Sequence, residues 1–280
     1  MIVKHNISVV AISFALLVSS SPRNNSSFLI SSMQNDFSLK TKSLIASDTS
    51  KWELVWSDEF NDLNEKCWTI EDSFWKKNPD CLYKPEQVEA KNGELIISVK
   101  RVGSLYHTAK LHSKGKVSFK YGKIEALINA PSGKGLKTAY WMLGNNFDQI
   151  GWPQCGEIDI MEQRGFEPKH THHNVHWFND DKNSTEHSSY GLFYYKKNIT
   201  EAYHKYAIIW DEKQIAYYFD DELIRTVDIT PGHKSEFHQP FYFILQLDVG
   251  NQNTWPGPVD PDMKWPKKLY VDYIRVYSKK

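Results

Sequence analysis

The sequence has no excess of one charge. Its 34 Lys and Arg residues match 34 Asp and Glu residues, so the formal net charge over 280 residues is zero. Nucleic acids and anionic membrane surfaces attract proteins that carry a basic face, and this composition gives no sign of one. We therefore expect no nucleic-acid partner.

Stretches with the 3.6-residue period of an amphipathic helix are also lacking after Lys51. In QVEAKNGELIISVK the pair Asn92-Gly93 is typical of the tip of a β-hairpin, and Gly122 predicts a bend in KVSFKYGKIEALINA. Further strands are expected in TAYWMLG, in PFYFILQLDVG, in KLYVDYIRVYS and, with turns near Glu212 and at Asp220-Asp221, in KYAIIWDEKQIAYYFDDELIRTVDI. The pattern predicts an all-β sandwich or jelly roll in one domain over residues 51–280.

Cysteine is scarce, with three residues in the chain. Export would permit a disulfide, for which Cys67 with Cys81 is a plausible pair, and the odd count leaves at least one thiol free. No spacing typical of a metal site occurs. Cys155 lies two residues before Glu157, but we interpret it as a small buried residue, because no histidine has an obvious partnering position.

The N-terminus carries the longest apolar run. A basic start is followed by apolar residues from Ile7 to Val18 and then by small residues, a pattern typical of a secretory signal and short for a membrane span. We predict a signal peptide over residues 1–20, secretion, and no stable membrane association after its removal. An uncleaved anchor is the alternative. Residues 21–50, rich in Ser, Asn and Lys, are predicted to be a linker or poorly ordered segment.

Three acids lie close together in the stretch GWPQCGEIDIMEQRG. Strand alternation puts Glu157 and Asp159 on one face, but Met161 then intrudes and would turn Glu162 into the opposite layer, where an ionised carboxylate is costly. A β-bulge at Ile160-Met161 would return Glu162 to the face of the other two acids. Like charges side by side destabilise a sheet, so the arrangement suggests a function.

Two carboxyls about 5–5.5 Å apart are the working pair of retaining glycosidases. Glu157 would attack the anomeric carbon, and Glu162 would protonate the departing oxygen and later activate water. Asp159 would hydrogen-bond Glu157 and share its charge, and crowding would split the three pKa values. The alternative is a solvent-facing acidic strand with no catalytic role.

GEIDIME resembles the signature of glycoside hydrolase family 16, in the bulge-containing branch that includes the laminarinases, which are endo-β-1,3-glucanases. The resemblance covers about residues 52–277 in order and includes WELVWSDEFN, SKGKVSFKYGKIEALINAPSGKGLKTAYWMLG, PFYFILQLDVG with WPG, and LYVDYIRVY. It implies an antiparallel jelly-roll sandwich with a substrate groove across its concave sheet. By position, Glu157 matches the nucleophile, Asp159 the assisting acid and Glu162 the acid/base.

The same resemblance suggests residues that bind the sugar chain. Trp141 and Trp152 match aromatics of the sugar cleft, and His176 matches a histidine near the acidic strand. Trp255 in TWPG is a further candidate at the rim of the cleft. A core tryptophan at Trp141 and a structural histidine at His176 are the alternatives.

Many family members hold a calcium ion on the sheet face away from the cleft. The matching positions are the backbone oxygens of Glu59 and Gly93 and the side chain of Asp272, and oxygen ligands suit this ion. Asp272 also fits an ordinary solvent-facing strand acid. The resemblance implies no cofactor for catalysis and a structural role for calcium.

Some cleft positions depart from the laminarinase pattern. Lys137 stands where an aromatic is common, and Trp177 stands where a glycine is common. QLDVGN puts Gln246 and Asp248 on a strand that should face the groove, and Gln246 is a further candidate for sugar binding. We predict a secreted, monomeric, retaining endo-β-glucanase that cuts β-1,3 linkages of laminarin-like glucans. The alternatives are the same chemistry on a mixed-linkage glucan or a galactan, transglycosylation, and a non-catalytic β-glucan-binding protein.

Overall fold

The structure, a computed structural model, describes residues 51–179, 184–189, 193–194, 197–232 and 234–280. The predicted signal peptide and linker lie outside these ranges. Within them, no helix combines the length and the apolar character needed to cross a membrane. The described part of the chain begins at the start of the predicted domain.

The regular structure is almost entirely β-strand, apart from a one-turn helix α1 (Phe147–Ile150) and two 3₁₀ turns. The strands are β1 (Trp52–Asp58), β2 (Thr69–Ile70), β3 (Ser73–Trp75), β4 (Asn78–Tyr83), β5 (Val88–Lys91), β6 (Glu94–Val102), β7 (Leu105–Thr108), β8 (Lys110–His112), β9 (Ser118–Phe119), β10 (Gly122–Asn129), β11 (Leu136–Gly144), β12 (Glu157–Arg164), β13 (His170–Asn179), β14 (Ser184–Ser189), β15 (Phe193–Tyr194), β16 (Tyr203–Trp210), β17 (Gln214–Phe219), β18 (Glu222–Asp228), β19 (Phe241–Val249) and β20 (Lys267–Lys279).

Two sheets form the sandwich. The first has the order β18-β17-β16-β10-β20-β6-β7-β4-β3, with β1 paired to β20 and β5 to β6. The second, which we call the groove sheet, has the order β14-β13-β12-β11-β19-β8-β2, with β15 paired to β13 and β9 to β19. The pairing is antiparallel except between β4 and β7. The predicted all-β sandwich is confirmed.

The core lies between the sheets and follows the strand alternation. On β19, Phe243, Leu245 and Leu247 join the apolar core, and the residues between them face the groove. Every residue of β19 is buried, which is typical of a central strand covered on both faces. The strand β11 pairs with β19, and β12 pairs in turn with β11.

The expected turns occur where the sequence indicates them. Asn92 and Gly93 have φ angles of 57° and 79° between β5 and β6, which is the left-handed geometry of a tight hairpin. Asp220 and Asp221, between β17 and β18, also have positive φ. A β-carbon at Gly122 would lie 2.5 Å from the carbonyl oxygen of Tyr277, so this bend requires glycine.

The predicted Cys67–Cys81 disulfide is wrong, because all three cysteines are free thiols with separate surroundings. Cys81 is buried, and its sulfur accepts a hydrogen bond from the Val249 backbone N–H at 3.3 Å. Cys67 instead packs against the main core near Trp56. The two sulfurs therefore have different neighbours, and each is accommodated without a bridge.

Cys155 is a fully buried residue in the turn before β12. Its thiol donates to the Gly156 carbonyl oxygen at 3.5 Å, and burial raises its pKa to about 11. The protonated thiol is a poor nucleophile. The interpretation of Cys155 as a small buried residue holds, although it lies in a turn.

Candidate active site

The acidic strand β12 contains the predicted bulge. Two residues, Ile160 and Met161, lie between Asp159 and Glu162, where the neighbouring β11 offers only Tyr140 opposite them. The pairing with β13 shifts over the same stretch. The side chains of Ile160 and Met161 are both fully buried in the core.

A buried histidine on β13 supports the bulge. The ring nitrogen Nδ1 of His173 lies 2.6 Å from the Ile160 carbonyl oxygen, which requires that this nitrogen carry the proton. Burial lowers the His173 pKa to about 3, so the ring is neutral and has a proton available at Nδ1. His173 thus satisfies a carbonyl that the irregular ladder exposes.

The three acids share a set of polar contacts on the groove face. Glu157 and Asp159 are joined by a side-chain hydrogen bond, and His176 Nε2 lies 3.2 Å from Asp159 Oδ2. Glu162 is held separately. Lys137 Nζ lies 2.8 Å from its Oε1 and Asn174 Nδ2 donates to its Oε2 at 3.0 Å. The bulge therefore brings all three carboxyls to one face.

The electrostatics of the three acids are unequal. Burial raises the pKa of Glu157, and the Asp159 charge raises it further. The pKa of Asp159 is also raised, first by burial and then by the Glu162 charge. Burial acts in the same direction on Glu162, but the ion pair with Lys137 outweighs it and the pKa is lowered. The surroundings of Glu157 and Asp159 therefore favour the protonated form, and those of Glu162 favour the carboxylate.

Trp141 and Gln246 form one wall beside the acids. Trp141 lies directly opposite Asp159 across the β11–β12 ladder and so faces the groove rather than the core. Its indole N–H donates to Gln246 Oε1 at 3.1 Å, and Gln246 Nε2 donates to Asp248 Oδ2 at 2.5 Å. Tyr83 donates its hydroxyl to the other Asp248 oxygen at 2.7 Å.

Two tryptophans stand further out. Trp152 is 47% exposed, and its ring centroid lies 6.1 Å from that of His176. Trp255 is 42% exposed and lies next to His172, with 4.8 Å between the ring centroids, and next to Arg164, whose guanidinium carbon is also 4.8 Å from the indole. All five residues predicted to bind sugar therefore surround β12.

His172 and Asn174 also face the groove and were not predicted from the sequence. Together with the predicted His176 they occupy alternate positions of β13, opposite Glu162, Asp159 and Glu157 in turn. The alternation in HTHHNVHW was the available signal. Lys137 stands out in the sequence as an unusual residue, but its contact with Glu162 depends on strand pairing, which the sequence does not display.

The predicted calcium positions lie together on the first sheet. A β-carbon at Gly93 would lie 3.9 Å from the Glu59 backbone oxygen, so the two backbone segments approach closely. Asp272 is the residue left unpaired where β20 passes β10. Burial raises its pKa, and the neighbouring Glu94 charge adds to the effect, so a cation would relieve both. The residues present fit a calcium ion.

Comparison with known proteins identifies the family. The family model described as "Glycosyl hydrolases family 16" matches residues 75–275. The chain belongs to glycosyl hydrolase family 16. It is a glycoside hydrolase of this family, and the match includes the whole of β12 with its bulge and acids.

Curated relatives of this family 16 chain differ in length and name. The beta-glucanase of Rhodothermus marinus is 33% identical over 261 residues, which cover 84% of this chain and 90% of that protein. The clotting factor G alpha subunit of Tachypleus tridentatus is 32% identical over 246 residues, 84% of this chain but 35% of its own length. The keratan-sulfate endo-1,4-beta-galactosidase of Sphingobacterium multivorum is 32% identical over 247 residues. This chain spans 56% of the length of that protein.

A solved structure shares the fold of this family 16 chain. The laminarinase catalytic domain from Thermotoga maritima MSB8 superposes with a TM-score of 0.72 at 32% identity, covering 82% of this chain and 99% of that one. The similarity confirms the predicted jelly-roll sandwich. It also confirms the resemblance to the laminarinase-like branch.

Proposed function

We propose that this glycoside hydrolase is a secreted, retaining endo-β-glucanase that cuts β-1,3-glucosidic linkages of laminarin-like glucans. The observation that carries the proposal is the bulge in β12, which puts Glu157, Asp159 and Glu162 on one face. Two separately held glutamates on one face suit a double displacement, in which one carboxyl attacks and the other exchanges protons. Trp141 and Gln246 beside them offer a flat ring and an amide to a sugar.

In the first step a Glu157 carboxylate oxygen bonds to the anomeric carbon while the bond to the leaving sugar breaks. Glu162, in the fraction of the enzyme in which it is protonated, gives its proton to the departing glycosidic oxygen. In the second step Glu162 takes a proton from water, the water oxygen bonds to the anomeric carbon, and the ester to Glu157 breaks. Asp159 stabilises Glu157 through the hydrogen bond between them. Before the attack Asp159 can hold the proton that the two carboxyls share, which leaves Glu157 as the carboxylate.

Sugar rings have apolar faces that stack on indoles, and three exposed or half-exposed indoles surround the acids. Trp141 lies on the floor beside Asp159, while Trp152 and Trp255 stand at the rim. Their spread along the groove sheet supports contact with several sugars of one chain. Such contact favours cutting within a polymer, hence an endo action.

The choice of a β-1,3-glucan rests on relatives named as laminarinases or glucanases, among them the Thermotoga maritima domain. A galactan is the second candidate, because the Sphingobacterium multivorum relative is named a keratan-sulfate endo-1,4-beta-galactosidase. The lysine at Lys137, in place of a cleft aromatic, also changes the groove floor. Activity confined to a galactan would overturn the glucan assignment.

We further propose that a structural calcium ion is held by the backbone oxygens of Glu59 and Gly93 and by the Asp272 carboxylate, and that the mature protein works as an exported monomer. The close approach of Gly93 to the Glu59 backbone oxygen and the raised pKa of Asp272, due first to burial, support the ion. Export rests on the signal-like N-terminal sequence. The proposed chemistry requires no cofactor.

Replacement of Glu157 by Gln tests the proposed function. The variant removes the attacking oxygen's charge at nearly constant volume, so we expect kcat on laminarin to fall by about a thousandfold or more with the fold intact. The matched control is Glu53→Gln on the exposed edge strand β1, which should retain activity. Sizing of wild-type products should give oligosaccharides of several lengths. An active Glu157→Gln enzyme would refute the nucleophile assignment.

A further inference from the structure

Lys137 makes an unusual contact for a groove residue. It lies on β11 between Glu162 on one side and Asp248 directly opposite on β19. Its ammonium lies 2.8 Å from Glu162 Oε1, and the side chains of both residues are mostly buried, at 18% and 13% exposure. Asn174 holds the other Glu162 oxygen, so the carboxyl group is fixed at both ends.

Other charged groups around this pair come from every neighbouring strand. On the Glu162 side they are Glu157 and Asp159 of β12 and His172 and His176 of β13. On the Lys137 side, Asp248 of β19 faces the ammonium, and Lys110 of β8 faces Asp248. Arg164 of β12 lies opposite Lys137 in the ladder but pairs with Glu167. Lys137 is therefore the cation that contacts Glu162 directly.

This contact has opposite effects on the two chemical steps. Departure of the leaving sugar needs Glu162 in its protonated form, and an adjacent ammonium favours the carboxylate. The second step needs the carboxylate as a base, which the ammonium helps to maintain. An aromatic ring is common at this position in laminarinases and carries no charge. With such a ring, Glu162 would stay protonated up to a higher pH.

We propose that Lys137 is a positioning residue for Glu162: its ammonium fixes one oxygen of the acid/base and confines proton donation by Glu162 to a more acidic range than an uncharged side chain at this position would allow. The inference rests on the proposed role of Glu162. Asp248, held by Tyr83 and Gln246, keeps the lysine in place.

The test is the pH dependence of kcat/KM on laminarin for the wild type and Lys137→Met. We expect the alkaline limb of the variant to move upward by about one pH unit or more, because an opposite charge at this range lowers a carboxyl pKa by about 1–3 units. Lys123→Met is the matched control. Its lysine pairs with Glu125 at 2.9 Å on β10 of the first sheet, away from the groove, so the midpoint of its alkaline limb should not move.

Three further arms make the result decisive. Lys137→Arg keeps a charge and should keep the wild-type midpoint, and Lys137→Gln replaces the Met variant if that one does not fold. On a dinitrophenyl glycoside, whose leaving group needs no proton, the difference between wild type and Lys137→Met should disappear. An unmoved midpoint on laminarin, or an equal shift on the activated substrate, overturns the inference.

Failure of the proposed function has a different signature. Glu162→Gln should lose most of its activity on laminarin and keep formation of the glycosyl-enzyme from the dinitrophenyl glycoside. Full laminarin activity in Glu162→Gln would mean that Glu162 is not the acid/base. Loss of activity in Glu162→Gln with no shift in Lys137→Met would leave the function standing and refute the role of Lys137 alone.

Discussion

At the scale of single residues, Glu162 depends on contacts from the two neighbouring strands. Lys137 of β11 holds one of its oxygens and Asn174 of β13 the other. Lys137 is separated from Glu162 by 25 positions, and only the β11–β12 ladder brings the two together. The charge state of Glu162 therefore depends on a contact that no local pattern displays.

His173 should make the folded protein less stable in acid. Burial holds its pKa at about 3, against 6.5 for an ordinary histidine. Between these two pH values the histidine binds a proton in the unfolded chain but not in the folded protein. This contribution to stability is complete above about pH 6.5 and declines as the pH falls towards 3.

The measurement is the free energy of unfolding by urea between pH 7 and pH 4. His173→Gln keeps a side-chain N–H for the Ile160 carbonyl oxygen but does not titrate, so its stability should fall less steeply with acid than that of the wild type. His107→Gln, on β7 away from β12, is the control for loss of a histidine. Parallel slopes in wild type and His173→Gln would contradict the prediction.

At the scale of the element, the bulge in β12 was predictable because burial of an acid is costly and one extra residue avoids it. The sequence does not predict how the bulge is held. His173 is on the next strand, and its bond to the Ile160 carbonyl oxygen depends on the β12–β13 register. The short helix α1 was not predicted either, since four residues are too few to show a helical period.

Deletion of Met161 should abolish activity, because it removes the bulge and restores regular pairing between β11 and β12. With one residue fewer, strand alternation would turn Glu162 into the core, away from Glu157 and Lys137. Activity on laminarin should fall to the level of Glu157→Gln, and the protein should also be destabilised.

The control for this deletion is Met161→Ala, which keeps the bulge and removes only buried volume. It should cost about 2–5 kcal/mol of unfolding free energy, as for other buried large-to-small changes, and keep its activity at low temperature. Hydrolysis and urea unfolding measured on both variants separate the two effects. A deletion variant that hydrolyses laminarin normally would show that the bulge does not position Glu162.

At the scale of the molecule, the strands were predictable and their order was not. Alternation and turn residues mark the segments, but β19 pairs with β11 and β8, whose residues lie 97 or more positions away. Such pairings leave no local signal. The jelly-roll arrangement came from the family resemblance, and strand periodicity alone was compatible with several sandwiches or barrels.

Removal of calcium should lower the thermal stability of the whole domain. Ligands from the end of β1, the β5–β6 turn and β20 would be joined by the ion, so an ion present at about a hundred times its dissociation constant would add about 2.7 kcal/mol. We expect a chelator to lower the Tm by several degrees. Asp272→Asn should lower the Tm in calcium and abolish the response to the chelator, whereas Asp262→Asn, an exposed acid elsewhere, should retain it. An unchanged wild-type Tm in chelator would refute the ion.

The separate anchoring of the two glutamates has a practical consequence. Lys137 and Asn174 hold Glu162 without help from Glu157. Glu157 can therefore be replaced by a residue with a small side chain while Glu162 stays in place. Such an enzyme could be supplied with a glycosyl fluoride of inverted configuration, whose carbon–fluorine bond replaces the missing ester. The lysine-bound carboxylate is already in the form that would deprotonate an incoming acceptor sugar, which suits this scaffold to building glycosidic bonds.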